Sequence, residues 1–165
     1  MKSTSLSELK KELVELPTKQ VLELCMRLAK HKKENKELLT YLLFDAHDEP
    51  TFIEEIKMLM DEQFSALNTS QVYLAKKTLR KVLRTTTKYI RFSGSSTFAV
   101  EVLIYFCLKL KTSGLPLTKS TVLGNMYEQQ LKKINSALSK MHEDLQYDYQ
   151  QLLEEVVGSQ TQPYQ

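Results

Sequence analysis

Hydrophobic residues recur at steps of three and four along nearly the whole chain, which is the spacing of one face of an α-helix. The first helix is predicted to begin at Ser5, because Ser5 and Glu8 have the spacing of a capping box. Pro17 interrupts this stripe and suits the first turn of a second helix. The charged run of residues 31–36 separates the second helix from a third. The predicted inward residues of these three helices are Leu6, Leu9, Leu13 and Leu16, then Val21, Leu24, Cys25 and Leu28, then Leu38, Leu39, Leu42, Leu43 and Ala46.

Two longer amphipathic helices follow. The fourth is predicted to start with Asp48 or Glu49 as its cap and with Pro50 in its first turn. Residues 68–70 are all cap-type residues, and the fifth helix that follows them is expected to stop at Gly94, a natural C-terminal stop. Both helices carry an apolar stripe at helical spacing, so each is expected to pack one face against the rest of the protein.

The sixth helix is the predicted centre of the core. Residues 98–110 are apolar nearly all round, and Glu101 and Lys109 are the only charged residues among them. A helix that is hydrophobic on every side is typical of one that other helices surround. We therefore expect Leu103 and Phe106 to be buried at the middle of the domain.

A seventh helix is predicted over residues 120–157 and would be the longest of all. Between residues 127 and 145 its apolar positions alternate in steps of four and three, the spacing of a coiled-coil seam. Such a seam either packs against its own domain or pairs with a second copy to form a homodimer. The residues of this predicted partner-helix seam are Tyr127, Leu131, Ile134, Leu138, Met141 and Leu145.

The composition agrees with an all-α protein. Only four Gly and four Pro occur among 165 residues, so tight turns must be few and the elements between them long. A chain of this length can bury a sizeable core as one domain. We therefore predict a single all-α domain of six or seven helices over residues 1–157, with a long C-terminal helix, followed by a disordered tail at 158–165.

The paired short helices of residues 5–46, with the sequence LPTKQVLELCMRLAKHKKENKELLTYLL at their centre, resemble the hairpins of HEAT-like α-α superhelical proteins. Residues 5–111 also resemble small uncharacterised bacterial all-helical proteins. The first resemblance rests on the spacing of the helices, and it implies a curved helical scaffold.

Cysteine usage and the N-terminal sequence bear on location. Cys25 and Cys107 lie in apolar stretches without a zinc or redox spacing, so both are predicted to be buried free thiols. Free thiols fit a reducing compartment. The first residues contain no continuous apolar run, and no stretch approaches the roughly 20 apolar residues that cross a bilayer. These features predict a cytoplasmic protein that does not bind membranes.

No catalytic constellation is recognisable in the sequence. His31, His47 and His142 lie in separate polar segments without metal-ligand spacing, and no phosphate loop or nucleophile motif occurs. Asp45, His47, Asp48 and Glu49 have suitable atoms for a weak cation site, but an acidic cap at a helix N-terminus explains the same residues. We therefore predict neither an enzyme nor a metal or cofactor site.

Charge is strongly segregated along the chain. Residues 45–62 contain seven acids and one lysine, whereas residues 63–100 contain seven cations and no acid. Six of these cations recur at helical spacing on the fifth helix, opposite its apolar stripe. We call them the basic ridge: Lys77, Arg80, Lys81, Arg84, Lys88 and Arg91.

Two interpretations of the basic ridge follow. In the first, the acidic fourth helix packs against the basic fifth helix and the two sets of charges pair with each other. In the second, the ridge faces outward and binds nucleic-acid phosphates, with Tyr89 and Phe92 as stacking groups. The segment from Arg91 to Thr97 could likewise hold a phosphate at the start of the sixth helix, but capping by its hydroxyl residues needs no ligand.

The sequence therefore indicates a non-enzymatic helical scaffold or protein-interaction module. The long amphipathic helices, and above all the C-terminal seam, favour a protein partner. The alternative is nucleic-acid binding, to RNA or DNA, through the basic ridge.

Overall fold

Helices are the only regular elements in the computed structural model, which describes residues 4–158. The prediction of an all-α fold is therefore confirmed. No helix within the described range is both long enough and apolar enough to cross a bilayer. The chain divides into two compact units, Met1–His47 and Asp48–Gln165.

The N-terminal unit begins as the sequence predicts. The Ser5 hydroxyl accepts the backbone N–H of Glu8, whose carboxylate accepts the backbone N–H of Ser5 at 2.9 Å. Hydrogen bonds from Thr4 and then Ser5 lower the pKa of Glu8 to about 2. The elements of this unit are α1 (Leu6–Glu15), α2 (Thr18–His31), α3 (Lys33–Thr40) and a π-helical turn (Tyr41–Asp45).

The C-terminal unit consists of five helices with clear start and stop signals. The Asp48 side chain caps the first of them by accepting the backbone N–H and the hydroxyl of Thr51. Gly94 ends the second with a φ of 65°, a left-handed conformation that glycine adopts without strain. Both predictions are confirmed. The helices are α4 (Glu49–Ser65), α5 (Val72–Ser93), α6 (Ser96–Thr112), α7 (Thr121–Leu138) and α8 (Glu143–Gly158).

Helix α6 lies at the centre of this unit. It packs against α4, α5, α7 and α8, and the side chains of Leu103 and Phe106 are both buried. The predicted core position of these two residues is confirmed. The buried residues of α6 are Phe98, Ala99, Val100, Val102, Leu103, Ile104, Phe106, Cys107 and Leu110.

The predicted long C-terminal helix is wrong, because residues 139–142 break it into α7 and α8. The Ser139 hydroxyl donates to the carbonyl of Ser136, and the N–H of Met141 bonds to the carbonyl of Leu138 in a tightened last turn. The break lets α8 turn back and pack against α6, which buries Leu153 and Val156. No glycine or proline marks the break, so the sequence pattern continues through it.

The break also changes the helix count. Residues 4–158 form eight α-helices and a π-helical turn, rather than six or seven helices. A HEAT-like superhelix needs hairpins that stack on one another, whereas the main helix packing within the N-terminal unit is one hairpin of α2 with α3. The HEAT-like arrangement therefore stays a prediction. The predicted tail lies outside the described residues, except for Gly158 at the end of α8.

The apolar seam of the C-terminal region is used within the chain. Tyr127, Ile134 and Leu138 are buried where α7 packs against α6. Leu131 and Met141 are half-buried, and Leu145 is exposed. This part of the seam therefore packs onto its own domain, and homodimer formation through the C-terminal helix stays a prediction.

Most of the residues predicted to point inward in the N-terminal unit are instead exposed, and the others are half-buried, namely Leu16, Val21, Leu38 and Leu39. Among its described residues only Ala29 and Tyr41 are buried, and Leu28 is 62% exposed. Helical periodicity identified the apolar stripe correctly, but it cannot show whether a second element covers that stripe. The exposed large apolar residues are Leu6, Leu9, Leu13, Val14, Leu22, Leu24, Met26, Leu28, Leu42, Leu43 and Phe44.

The central position of α6 predicts a steep cost for removing its buried side chains. We expect Leu103→Ala and Phe106→Ala each to lower the free energy of unfolding by about 2–5 kcal/mol, through lost burial and a residual cavity. Leu108→Ala on the same helix is the control, because Leu108 is 37% exposed and should lose only about 1 kcal/mol. Urea denaturation followed by circular dichroism measures all three. Equal losses for Leu108 and Leu103 would contradict the central role of this face.

Candidate functional site

Helix α5 carries the two faces that its sequence predicts. Its apolar face is buried through Ala75, Leu79 and Val82, and Thr86 is buried beside them. The opposite face presents exposed cations, namely Lys77, Arg80, Lys81, Arg84 and Arg91, whereas Lys76 and Lys88 are half-buried. The Lys88 ammonium lies 4.9 Å from the centroid of the Tyr89 ring.

Helix α4 is linked to α6 through Asp61 and Lys57. Lys109 approaches Asp61 at 2.7 Å, and the Tyr105 hydroxyl donates to both oxygens of the same carboxylate at 2.8 Å. Lys57 lies 2.8 Å from Glu54 and 3.3 Å from Glu101. Residues 101, 105 and 109 are spaced one helical turn apart, so they form a polar stripe on a helix that is otherwise apolar.

Helix α8 joins the same polar network. The Tyr149 hydroxyl donates to Glu101 at 2.8 Å, so Glu101 links Lys57 of α4 to Tyr149 of α8. Burial, and then the hydrogen bond to Glu101, raise the pKa of Tyr149. Burial acts to lower the pKa of Lys57, but its bonds to Glu54 and Glu101 outweigh that effect and raise it. The raised pKa values keep Lys57 charged and Tyr149 neutral near pH 7. We call this network the clamp on α6: Lys57, Asp61, Glu101, Tyr105, Lys109 and Tyr149.

This network leaves part of the basic ridge without acidic partners. Within residues 4–158, no ion pair or hydrogen bond engages the side chains of Lys77, Arg80, Lys81 or Arg84. The first interpretation of the charge segregation, in which the acids of α4 answer the cations of α5, does not describe these four residues. They form an exposed cationic surface about two helical turns long.

The two aromatic residues predicted to stack on bases are packed into the protein. Tyr89 meets Phe52 edge-on with ring centroids 5.4 Å apart, and it meets Phe92 edge-on at 5.9 Å. Phe92 is buried. Sequence reasoning missed a different aromatic, Tyr73, which is 77% exposed and stands four residues before Lys77 in line with the ridge.

The turn between α5 and α6 is explained by ordinary capping. The Ser95 hydroxyl accepts the backbone N–H of Phe98 and donates to Glu49 at 2.9 Å. Ser93 also donates to the Glu49 carboxylate, at 3.3 Å. The predicted phosphate position at the start of α6 therefore has its leading serine engaged and a carboxylate beside it.

A second candidate surface lies on the hairpin of α2 and α3. The Asn35 amide donates to the carbonyl of Leu28 at 2.8 Å and fixes the corner of the hairpin. Beside this corner is an open groove of about 330 Å³ with mainly apolar walls. Besides Asn35, its lining consists of Cys25, Leu28, Ala29, Leu38, Leu39 and Leu42.

The cysteine prediction holds for one residue of two. Cys107 is buried, and burial raises the pKa of its thiol to about 12. Cys25 is exposed at the groove, so its predicted burial is wrong, for the same reason that the apolar face of α2 is open. Asp48 acts as a helix cap, and the described residues contain no cluster of three or more His, Cys, Asp or Glu able to hold a metal ion.

Comparison of the chain with protein-family models, with curated proteins and with solved structures found no match.

The clamp on α6 predicts a pH-dependent contribution from Asp61. Bonds from Lys109 and then Tyr105 lower the pKa of Asp61, so its carboxylate stabilises the fold above its unfolded pKa near 4, and this stabilisation is lost as pH falls through the lower folded pKa. We expect Asp61→Asn to cost less than about 1 kcal/mol near pH 7, because the side chain is 45% exposed. The cost should vanish at low pH.

The measurement is the free energy of unfolding across the acid range. Glu62→Gln is the matched control, because the neighbouring Glu62 makes no ion pair within the described residues and should show little effect at any pH. A cost for Asp61→Asn that stayed constant down to pH 2 would show that the clamp does not depend on its charge.

Proposed function

We propose that the protein is a non-enzymatic interaction module that binds a protein partner through the α2–α3 groove. The observation that carries this proposal is the exposure of the apolar faces of the N-terminal unit, where only Ala29 and Tyr41 are buried among the described residues. Soluble proteins rarely leave large contiguous apolar patches uncovered, and such patches commonly mark protein-binding surfaces. A groove between two helices is a typical receptor for an amphipathic helix.

The charge around the groove indicates what kind of helix would fit. Residues 27–36, which form the end of α2 and the start of α3, contain five Lys and Arg and one Glu. Apolar walls with a cationic rim complement a helix that has apolar residues on one face and acids at its edges. We therefore propose an acidic amphipathic helix as the partner segment.

The cysteines support a cytoplasmic setting for this interaction. Cys25 is an exposed free thiol that lines the groove, and Cys107 is a buried free thiol. An exposed free thiol persists most readily in a reducing compartment. We propose the cytoplasm on this ground.

A second candidate function is binding of nucleic acid through the basic ridge. The specific observation in its favour is that Lys77, Arg80, Lys81 and Arg84 are exposed and take part in no ion pair within residues 4–158. Cations in this state can neutralise phosphates without first breaking an internal bond. Because Tyr89 and Phe92 are packed inside, contact with the phosphate backbone would supply most of the affinity.

The groove proposal is tested by site-specific photocrosslinking in living cells. A photoreactive amino acid at Leu42, in the groove, should crosslink to another protein, whereas the same group at Met58, which is 60% exposed on the C-terminal unit, should not. Adding Leu28→Glu should reduce the crosslink about thirtyfold, because a charge buried in an apolar interface costs about 2 kcal/mol or more.

Leu28→Glu should leave the stability within about 0.5 kcal/mol of the wild type, because Leu28 is 62% exposed. Equal crosslinking from Leu42 and Met58, or no effect of Leu28→Glu on a stable protein, would refute the groove as the binding surface. Crosslinks only to a second copy of the chain would show that the groove mediates self-association and does not bind a different protein.

The ridge candidate is tested by its salt dependence. The fourfold replacement of Lys77, Arg80, Lys81 and Arg84 by Gln should weaken binding to duplex DNA and flatten the log–log salt slope by about 0.9 for each lost phosphate contact. The helix content measured by circular dichroism should persist, because Gln has good helix propensity. The control replaces Lys10, Lys11, Lys19 and Lys119, four exposed lysines elsewhere in the chain, and removes the same charge. Equal loss in both variants would indicate a net-charge effect and not a site.

A further inference from the structure

A groove that the sequence does not predict lies at the C-terminal end of α5, where α5, α6 and α7 meet. It is an open depression of about 370 Å³. Helix α5 contributes Thr87 and Arg91, helix α7 contributes Lys133 and Ser136, and the turn after α7 contributes Lys140. Three cations from two segments that are distant in sequence therefore border one depression, which we call the α5–α7 groove.

Among the described residues, the lining of the α5–α7 groove includes three cations and no carboxylate. Lys133 and Lys140 are exposed, and neither makes an ion pair or hydrogen bond to another side chain within the described part of the chain. These two lysines add positive charge to the groove beside Arg91, and a concave surface concentrates the positive potential that they create. The chemistry of the lining suits a phosphate group.

The groove continues the cationic surface of α5. Arg84 is followed one turn later by Thr87 and Lys88, and Thr87 and Arg91 line the groove itself. Lys133 and Ser136 lie on one face of α7, and Lys140, in the turn that follows α7, borders the same depression.

We propose that Lys133 of α7 and Lys140 of the turn after α7 form a phosphate-binding extension of the basic ridge, so that a nucleic-acid backbone runs along α5 and enters the α5–α7 groove. This inference rests on the ridge candidate stated above. It does not depend on the N-terminus of α6, because Ser95 is engaged by Glu49 and Phe98. It adds a site on a helix that the charge pattern of the sequence does not connect with α5.

The test compares double variants of the full chain for binding to a duplex DNA of about 20 base pairs. Lys133→Gln with Lys140→Gln should lower the salt slope by about 1.8, which is two contacts at about 0.9 each, and should weaken binding at about 50 mM salt by tenfold or more. Lys133→Arg with Lys140→Arg keeps both charges and should bind like the wild type. Lys132→Gln with Lys119→Gln is the matched control, since both lysines are exposed and neither lines the groove.

A measurement on the wild type makes the test independent of folding. Acetylation with a lysine-reactive reagent, read by mass spectrometry, should show Lys133 and Lys140 protected by the bound duplex and Lys132 unprotected. If the fourfold ridge variant loses binding while the Lys133/Lys140 variant keeps the wild-type slope and shows no protection, the α5–α7 groove is not a phosphate site and the ridge candidate still stands. If the wild type shows no salt-sensitive binding at all, both proposals fall together.

Discussion

The all-round hydrophobicity of α6 is the constraint on which the C-terminal unit depends. A helix without a polar face must be covered on every side, because about 25 cal/mol is lost for each Å² of apolar surface left in water. Helices α4, α5, α7 and α8 supply that cover. Because α6 is surrounded, its few polar residues need partners on the neighbouring helices, as Glu101, Tyr105 and Lys109 have. Burying a polar group without such a partner costs free energy.

The pairing of that polar stripe determines which charged side chains of the C-terminal unit remain without an ion-pair partner. Asp61 and Lys57 of α4 face α6, so these charges of the acidic helix are used in the clamp rather than against α5. Part of the basic ridge consequently remains open to solvent. The same packing brings α7 and the turn after it beside the end of α5, where Lys133 and Lys140 add to the cationic surface. The candidate nucleic-acid surface is thus a consequence of how α4 and α7 pack against α6.

Within residues 4–47, the N-terminal unit has no helix that is apolar on every side as α6 is. Its described helices are amphipathic, and none of them is apolar enough to require burial on every side. The leucine faces of α1 and α2 stay exposed. The hairpin is held by local contacts such as the bond from Asn35 to Leu28. An amphipathic helix whose apolar face is not absorbed by its own fold retains that face for association, which is the physical basis of the proposed protein-binding groove.

Local signals fixed much of the architecture before any tertiary information. Ser5 with Glu8, Asp48 and Gly94 act through neighbours within four residues, so their caps and stops are readable from the sequence, as is the burial of α6 from its composition. The break at residues 139–142, the exposure of Cys25 and Leu28, and the packing of Tyr89 depend on which surfaces meet across long sequence separations. Helical periodicity predicts which face of a helix is apolar, but it does not predict which other element, if any, packs against that face. Charge runs likewise record which side chains are charged, whereas only the packing of α4, α6 and α7 decided that Asp61 would be paired and that Lys133 would border α5.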